Sequence, residues 1–417
     1  MADCPGVLHL AAMADGALAR IRAPGGRLSA AQARATAQAA ATLGSGVIDL
    51  TSRANLQIRG MSEGAGSALA ARLSAAGLFV EGPADRRRNI LLDPFSGLDP
   101  EEIRDLRPLA AALDEGLRAA PWVGALSPKF SFVLDGGGRS AVAAIRSDVS
   151  CRTTAQGTMI IGSGHVLVEA ADDRSCVAAL LAIAQAAAAA GPQTRARDLD
   201  PADLTSALQA VSGLRQATEA GIARELTPRF GLVSQRGSAR VALSLPVPVG
   251  RLDATMLEWL ADVAERDGEG WMALAPWSAV VVWGMSTAEA DATLAQSVGH
   301  GFTPLGVAER LTVVACAGSS GCVRAQEPAK ELGREVLELA AAEPWRLPPA
   351  PVRVHLSGCR RGCAGAATAD LLLLGADDAP GWSAHRAGSP RAPGDSIGRR
   401  GAMTAPELID LLAHRVR

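Results

Sequence analysis

Hydrophobic and polar positions repeat along the chain in two similar blocks, which cover residues 16–79 and 237–302. In each block, alternating apolar residues predict a strand, apolar residues at helical spacing predict a helix, and two more strands and a second helix follow. Gly-Arg-Leu follows the first strand in both blocks, and Gly-Met ends the third strand in both. The pattern therefore predicts an internal duplication of a strand, helix, strand, strand, helix unit.

Each block precedes a longer stretch in which apolar runs predict further strands and helices. We therefore expect four units, at residues 1–85, 86–215, 216–305 and 306–417. Within the longer units, the Ala-rich run 177–190 predicts a buried helix that is too short to cross a bilayer. Amphipathic spacing predicts helices at 326–342 and 404–415, and the stretch 375–400, rich in Gly, Pro and Arg, predicts a surface loop.

Four of the seven cysteines form two close pairs near the C-terminus. Five residues separate Cys316 from Cys322, and three separate Cys359 from Cys363. Glycines flank both pairs, so backbone N–H groups can approach inorganic sulfide. Four thiolates in two short loops can hold a [4Fe–4S] cluster. The alternatives are a structural zinc site, for which the five-residue gap is unusually wide, and four buried, inert cysteines.

The other cysteines and the histidines give weaker signals. Cys4, Cys151 and Cys176 have no second cysteine close in sequence and are predicted to be small buried side chains. The histidines show no metal-binding spacing. We expect His165 to lie in a loop and His355, four residues before Cys359, to lie near the cluster without binding it.

The cysteine spacing is similar to that of the nitrite and sulfite reductase family, in which a [4Fe–4S] cluster lies against siroheme. The stretch from His355 to Cys363, which reads His-Leu-Ser-Gly-Cys-Arg-Arg-Gly-Cys, resembles the precorrin-3B synthase branch of that family. The duplicated plan resembles the family along nearly the whole chain. The resemblance implies an α+β fold in which a ferredoxin-like half-domain and a larger α/β siroheme-reductase-type domain occur twice, related by a pseudo-twofold axis.

Three motifs resemble the elements with which the family binds tetrapyrrole carboxylates. The first is Thr51-Ser-Arg53-Ala-Asn-Leu-Gln57, which is similar to the family's T-x-R-x-x-x-Q. Arginine presents a rigid fork of donors that fits a carboxylate, and Thr and Gln add neutral hydrogen bonds. The resemblance therefore implies that Thr51, Arg53 and Gln57 bind a tetrapyrrole, although an isolated arginine after a strand is more often solvated.

The second motif is Arg88-Asn89-Ile90, similar to the family's R-N-[IV], which implies that Arg88 and Asn89 also contact the macrocycle. The third is Leu126-Ser-Pro-Lys129-Phe-Ser131, similar to L-P-x-K-F-K. Lys129 matches the first lysine of that motif, but Ser131 stands where the reductases have a second one. The missing cation weakens the case for reduction of a small inorganic anion.

By this resemblance we expect a precorrin-3B synthase-type oxidoreductase of the monooxygenase type. The implied reaction is O2-dependent hydroxylation of precorrin-3A at carbon 20 with γ-lactone formation, in aerobic cobalamin biosynthesis. The implied cofactor is the [4Fe–4S] cluster, with a further iron left open and no catalytic residue identified. The first alternative is a siroheme-dependent nitrite or sulfite reductase, and the second is a non-enzymatic tetrapyrrole-binding iron–sulfur protein.

Composition limits the partners. The formal net charge of −2 offers no basic field for nucleic acid. No secretory signal or membrane span is predicted, so we expect a cytoplasmic, monomeric protein with reduced thiols. No GxGxxG opens a strand–helix unit, so electrons are expected from an external donor: a ferredoxin, a flavodoxin or an NAD(P)H-dependent reductase. Only two lysines, Lys129 and Lys330, remain among 41 basic residues, which makes each of interest.

Overall fold

The computed structural model describes residues 4–164, 166–217, 225–365, 368–376 and 380–415. His165 lies outside the described residues. The strands are β1 (Ala11–Met13), β2 (Gly16–Ile21), β3 (Arg27–Ser29), β4 (Val47–Leu50), β5 (Leu56–Met61), β6 (Ile90–Leu92), β7 (Phe132–Asp135), β8 (Val149–Thr153), β9 (Met159–Ser163), β10 (Val166–Ala170), β11 (Leu214–Gln216), β12 (Gly231–Ser234), β13 (Val241–Pro246), β14 (Arg251–Asp253), β15 (Trp271–Ala275), β16 (Ala279–Met285), β17 (Leu311–Ala315), β18 (Val352–Ser357), β19 (Leu371–Gly375), β20 (Trp382–Ser389) and β21 (Ala392–Arg400). The helices are α1 (Ala30–Leu43), α2 (Gly66–Ala75), α3 (Arg107–Ala119), α4 (Asp173–Ala190), α5 (Pro201–Gln209), α6 (Ala254–Arg266), α7 (Thr287–Ser297), α8 (Leu305–Ala308), α9 (Ala329–Ala342) and α10 (Ala405–Arg415).

The strands form two small sheets and two large sheets. The first small sheet has the order β1-β2-β5-β4-β14, and the second has the order β12-β13-β16-β15-β3. The first large sheet has the order β11-β10-β9-β8-β7-β6, and the second runs from β17 to β21 in chain order. The duplicated α+β plan expected from the sequence is therefore confirmed, whereas the unit boundaries stay predictions.

The two half-domains exchange a strand. Leu28 of β3 pairs with Met272 in the second small sheet, and Leu252 of β14 pairs with Ile48 in the first. These strands are the two Gly-Arg-Leu copies of the sequence repeat. The preceding Gly26 has φ +70°, and a Cβ there would lie 2.9 Å from the Leu274 carbonyl oxygen, so the crossing requires glycine. Both half-domains contribute to one hydrophobic core, against which α1 and α6 pack.

Each small sheet contains a β-bulge at the Gly-Met repeat. One residue of β2, Leu18, lies opposite two of β5, Arg59 and Gly60, because Ala17 pairs with Met61 and Ala19 with Ile58. Gly60, with φ +65°, occupies the extra position on β5. The second small sheet has the same irregularity on β16 at Gly284. A bulge bends its strand and redirects neighbouring side chains, and here the redirected residue is Arg59.

The two large sheets share one topology. Strands β6, β7 and β8 are parallel, as are β17, β18 and β19, and antiparallel strands follow in both sheets. The loops after neighbouring parallel strands meet at the same sheet edge. The loop after β17 carries the first cysteine pair and the loop after β18 carries the second. The topology therefore brings both pairs together.

The expectation of a surface loop at 375–400 was wrong. Residues of this stretch form β20 and β21, which extend the second large sheet by antiparallel pairing. Trp382 and Ala384 are buried against the core, and Gly388 and Gly398 adopt positive φ within the ribbon. Pairing with neighbouring strands therefore decides the structure of this stretch despite its turn-forming composition. Such pairing is favourable because alternate residues of a strand can be buried on one face of the sheet.

Helix α4 includes the predicted buried helix and begins earlier, at Asp173. By length and composition it is apolar enough to cross a membrane, the only such helix among the described residues. Its Leu180 and Ile183 side chains are buried in the core of the first large sheet, where α3 and α5 also pack against the helix. This packing is typical of a core helix.

Candidate functional site

The four cysteines of the two pairs lie close together. The Gly358 N–H, in the second loop, donates to Cys316 Sγ in the first at 3.1 Å. Burial raises the pKa of the Cys316 thiol, and Cys359 and Cys322 are near enough to raise it further. The pKa of Cys363 is likewise raised by burial and by the other three cysteines. The four thiols are therefore near neighbours of one another.

The glycines of these loops are required by close packing. A Cβ on Gly318, where φ is +68°, would lie 2.5 Å from the Ala329 backbone nitrogen. A Cβ on Gly358 would lie 2.5 Å from the Ala325 Cβ and 3.5 Å from Cys316 Sγ. Backbone therefore approaches the sulfur atoms directly, which is the environment that a sulfide-rich cluster needs.

The four thiols form a donor set suited to an iron–sulfur cluster. Within the described residues, no group of three or more His, Cys, Asp or Glu side chains is placed to hold one metal ion. A [4Fe–4S] cube holds its four thiolates further apart than a tetrahedral zinc ion does. Four thiols from two short loops therefore fit the predicted cluster.

One face of the first small sheet is polar. Arg20, Gln57, Asp49 and Arg251 pair in register across four neighbouring strands, so their side chains lie in one row on the same face. With its amide oriented for hydrogen bonding, Gln57 accepts from Arg20 Nε at 3.0 Å. The opposite face carries apolar residues such as Ile58 and packs into the core.

Three arginines near this row have buried N–H groups without a hydrogen-bond partner among the described residues. They are Nε and Nη1 of Arg22, Nη1 of Arg53 and Nη1 of Arg88. Burial, and then the charge of Arg20, lowers the pKa of Arg22 to about 9. Burial and the neighbouring Arg195 lower the pKa of Arg53. An unpartnered buried donor costs about 1–3 kcal/mol, so this cluster is suited to an anionic ligand.

Of the predicted site residues of the first motif, Thr51 and Arg53 lie in the turn after β4, and Gln57 lies on β5. Thr51 Oγ1 accepts from the backbone N–H groups of Arg53 at 3.3 Å and Asn55 at 3.1 Å, which shapes the turn. Arg53 Nη2 donates to the Arg146 carbonyl at 2.7 Å. Thr51 therefore positions Arg53. The buried Nη1 of Arg53 has no hydrogen-bond partner among the described residues.

The second motif joins the first through amide side chains. Asn55 Nδ2 donates to Asn89 Oδ1 at 3.0 Å, and Asn89 Nδ2 donates to the Phe130 carbonyl at 3.3 Å. Arg88 is buried, and its Nε and Nη2 donate to the Asp114 carboxylate at 2.6 and 2.9 Å. Asn89 thus connects all three motifs. Two of the three guanidinium nitrogen atoms of Arg88 already donate to Asp114.

The third motif presents Lys129 at the surface. Lys129 is exposed, and the carbonyl of the preceding Pro128 accepts from Arg22 Nη2 at 3.4 Å. Ser131 is fully buried, and its N–H and hydroxyl both donate to Asp148 Oδ2. The structure therefore brings the three predicted segments together, and the roles of their side chains as ligands remain predictions.

Several residues of this region were missed by the sequence reasoning. Arg20 and Arg22 join the cationic cluster, and Arg59 and Asp49 lie on the same sheet face. The alternation Arg20-Ile21-Arg22 was a usable signal, since it puts two arginines opposite a buried isoleucine. Nothing in the local sequence indicated that these charges face the C-terminal half.

The second half-domain lacks the polar row. Ser244, Val281, Ala273 and Arg27 occupy the equivalent paired positions, and three of the four are uncharged. A cavity of about 570 Å³ near Arg229 contains none of the predicted site residues. The duplicated fold therefore carries the polar row on the first small sheet and not on the second.

His355 and the other three cysteines are not part of the two cysteine loops. His355 is buried on β18, where burial lowers its pKa to about 4, so its ring is neutral near pH 7. Cys151 and Cys176 are fully buried in the core, with their Sγ atoms 3.4 Å apart. Cys4, expected in the core, is instead half-buried beside Arg20.

Comparisons with known proteins find similar chains. Residues 12–76 match the family model described as the nitrite/sulfite reductase ferredoxin-like half domain. A precorrin-3B synthase of Sinorhizobium sp is 30% identical over 414 residues, which is 96% of this chain and 86% of that protein. A ferredoxin–nitrite reductase of Synechococcus elongatus is 29% identical over 391 residues, covering 86% of this chain and 76% of that protein.

The fold has a close counterpart among solved structures. The NirA protein of Mycobacterium tuberculosis superimposes with a TM-score of 0.77 at 19% sequence identity. The match covers 96% of this chain and 80% of NirA. At this identity the likeness establishes the shared fold alone.

Proposed function

The chain belongs to the nitrite and sulfite reductase family, and we propose that within it the protein acts as a precorrin-3B synthase. The proposed reaction is the O2-dependent hydroxylation of precorrin-3A at carbon 20, with closure of a ring-A acetate into a γ-lactone. We place the protein in the cytoplasm, where its thiols stay reduced. The relatives support an oxidoreductase, and the choice of reaction is our inference.

The observation that carries the proposal is the environment of Ser131. By resemblance, a reductase of small anions places a second lysine here. In this chain the side chain is buried, and its hydroxyl donates to Asp148, which also accepts from Arg195 Nε at 2.9 Å. No cation is presented at this position, which favours a reaction other than nitrite or sulfite reduction.

The cationic cluster supports a carboxylate-rich macrocycle as the bound molecule. Arg22, Arg53 and Arg88 each retain a buried N–H without a partner among the described residues, and Arg20 adds a half-buried positive charge. Carboxylates on the ring would satisfy these donors with charge-assisted hydrogen bonds. In this proposal Arg53 and Gln57 fix the position of the ring, and Thr51 and Asn89 hold the surrounding loops.

Cys316, Cys322, Cys359 and Cys363 would hold the [4Fe–4S] cluster, which supplies electrons one at a time. Thiols with raised pKa values must lose their protons to bind iron, and the adjacent glycine N–H groups stabilise the thiolates that result. The residues of the polar sheet face orient the ring and exclude water from it.

An external carrier would deliver the electrons. Arg324, Arg360 and Arg361 are exposed directly beside cysteines of the two pairs, and Val323 is 82% exposed between Cys322 and Arg324. A basic surface with an apolar centre suits an acidic one-electron protein such as a ferredoxin or a flavodoxin. We therefore propose that the carrier docks on this face.

The test begins with the absorption spectrum of protein purified without oxygen. A broad shoulder in the blue alone is expected for a cluster without siroheme. Adding precorrin-3A, a reduced ferredoxin and isotopically labelled O2 should then give a product that contains one labelled oxygen atom by mass spectrometry. Absence of turnover in a cluster-loaded protein that binds precorrin-3A would exclude the synthase reaction.

The second candidate function is siroheme-dependent reduction of nitrite or sulfite. It is favoured by the nitrite reductase of Synechococcus elongatus, whose identity to this chain is nearly as high as that of the synthase. Strong Soret and red absorption bands, together with ferredoxin-dependent consumption of nitrite or sulfite, would establish this function instead.

A further inference from the structure

Asp49 is the centre of a buried ionic network that links the two halves of the chain. Its carboxylate accepts from Lys330 Nζ at 3.0 Å and from Arg251 Nε at 2.8 Å, and Arg59 Nη1 lies 3.5 Å away. Asp49 is 5% exposed and Lys330 is also 5% exposed. Burial alone would raise the pKa of Asp49, but Lys330 and Arg251 outweigh it and hold that pKa well below its usual range.

Arg59 extends this network to the first cysteine loop. Its Nη2 donates to the Gly321 carbonyl at 2.8 Å, one residue before Cys322, and its Nε donates to Asp15 at 2.7 Å. A Cβ on Gly321 would lie 2.3 Å from Arg59 Nη2, so the glycine leaves room for the guanidinium. The bulge at Gly60 follows Arg59 directly in β5.

Lys330 secures the other end of the same segment. It is the second residue of α9, the helix that follows the first cysteine loop. Its Nζ also donates to the Val249 carbonyl at 2.8 Å, in the tight turn before the exchanged strand β14. The loop and the start of its following helix are therefore both tied to the small sheets.

The network leaves an excess of buried positive charge beside the loop. Arg59, Arg251 and Lys330 are each at most 12% exposed at the side chain, and Asp49 is the one acid buried to a similar degree in the network. The remaining acidic partners, Asp15 and Glu331, are 26% and 39% exposed. Water screens these two acids, so they offset the buried cations only in part.

We propose that Arg59 and Lys330 position the Cys316–Cys322 loop and stabilise the negative charge that the cluster gains when the external carrier transfers one electron to it. They thereby raise its reduction potential. This inference rests on the cluster of the proposed function and goes beyond it, since it assigns to this network the setting of that potential.

The test is a redox titration of the cluster-loaded protein, followed by electron paramagnetic resonance. Arg59→Gln and Lys330→Met should each lower the equilibrium constant for one-electron reduction about tenfold, a downward shift of about 59 mV for a one-electron couple. Arg59→Lys keeps the charge and should stay closer to the wild-type value. Arg34→Gln is the control, since Arg34 lies on α1 and pairs with Asp262 and Glu265 at the surface.

The outcomes separate this inference from the proposed function. If the wild-type protein shows no cluster signal, the proposed function fails. If the cluster is present and neither Arg59→Gln nor Lys330→Met shifts the potential more than Arg34→Gln does, the inference is wrong. If Arg59→Gln cannot be loaded, a lowered potential in Lys330→Met still supports the inference, and an unchanged one overturns it.

Discussion

At the scale of single residues, the four cysteines of the two pairs give the most direct prediction. Serine at Cys316, Cys322, Cys359 or Cys363 removes a thiolate ligand, so iron and sulfide content should fall well below the wild-type value or the cluster should change type. Iron and sulfide analysis with electron paramagnetic resonance measures this. If all four serine variants kept the full iron and sulfide content, the assignment of these cysteines as cluster ligands would be wrong.

The remaining cysteines provide the matched control. Cys4 lies beside Arg20, and Cys151 and Cys176 lie in the core of the first large sheet, away from the paired loops. Alanine at each position should leave iron content unchanged. The core variants should lose some stability, about 1 kcal/mol for each small cavity.

The cationic residues predict how a tetrapyrrole binds. Arg53→Ala should weaken binding about tenfold, because a charge-assisted hydrogen bond contributes about 1.5–3 kcal/mol. Iron content should not change. Lys129→Arg keeps the charge but replaces a compact donor with a planar fork, so turnover should fall while ring binding is largely retained. Equilibrium titration with precorrin-3A and steady-state kinetics measure the two effects, and unchanged affinity in Arg53→Ala would remove Arg53 from the site.

At the scale of elements, the loops after the first parallel strand of each large sheet have diverged in chemistry. The loop after β17 has Cys316 and Cys322, and the loop after β6 has Asp93 and Asp99 with the same separation. Burial, and then Asp135 and Asp99, raise the pKa of Asp93 from 3.8 to about 7. The duplicated position is therefore occupied by a buried carboxyl group in place of a thiol.

This carboxyl predicts a pH dependence of stability. Because its folded-state pKa is raised, Asp93 favours the folded state fully below about pH 4 and loses that contribution as pH rises through about 7. The wild-type protein should lose roughly 2 kcal/mol from this group between about pH 5 and about pH 8. Urea unfolding at both pH values should show a smaller difference for Asp93→Asn. An equal difference in both proteins would contradict the assignment.

At the scale of the whole molecule, the exchange of β3 and β14 holds the two halves in a fixed relation. Each half-domain completes the sheet of the other, and both share one core, so the polar face of the first small sheet stays aligned with the cysteine loops. The contacts of Lys330 with Asp49 and of Arg59 with Gly321 depend on this alignment. In the proposed function, a ring bound to the N-terminal half would thereby lie beside a cluster held by the C-terminal half.

The basic face around the cysteine loops predicts the behaviour of the electron donor. Arg360→Glu with Arg361→Glu should raise the KM for an acidic one-electron carrier about tenfold or more, and the effect should shrink at high salt. Reduction by dithionite, a small reductant, should be unchanged. Arg34→Glu, a charge reversal elsewhere on the surface, is the control. An unchanged KM would place the docking surface elsewhere.

Local patterns in the sequence determined the repeated unit and most helices and strands, and they predict the four thiolate ligands. These features depend on hydrophobic period and on short spacings, both of which are written directly in the chain. The same reasoning failed at 375–400, where β20 and β21 form because neighbouring strands pair with them. Amino-acid composition indicates the local preference for turns. It does not contain the free energy gained when a segment pairs with distant strands.

Only the tertiary structure decided which charges meet. Arg59 and Gly321 are far apart in the chain, and Asp49 meets Lys330 only because β14 is exchanged between sheets and α9 packs against its turn. Arg88 illustrates the same limit, since its motif predicts a ligand contact while the fold gives most of its fork to Asp114. A sequence specifies which side chains can form ion pairs, but the partner of each depends on packing between distant segments.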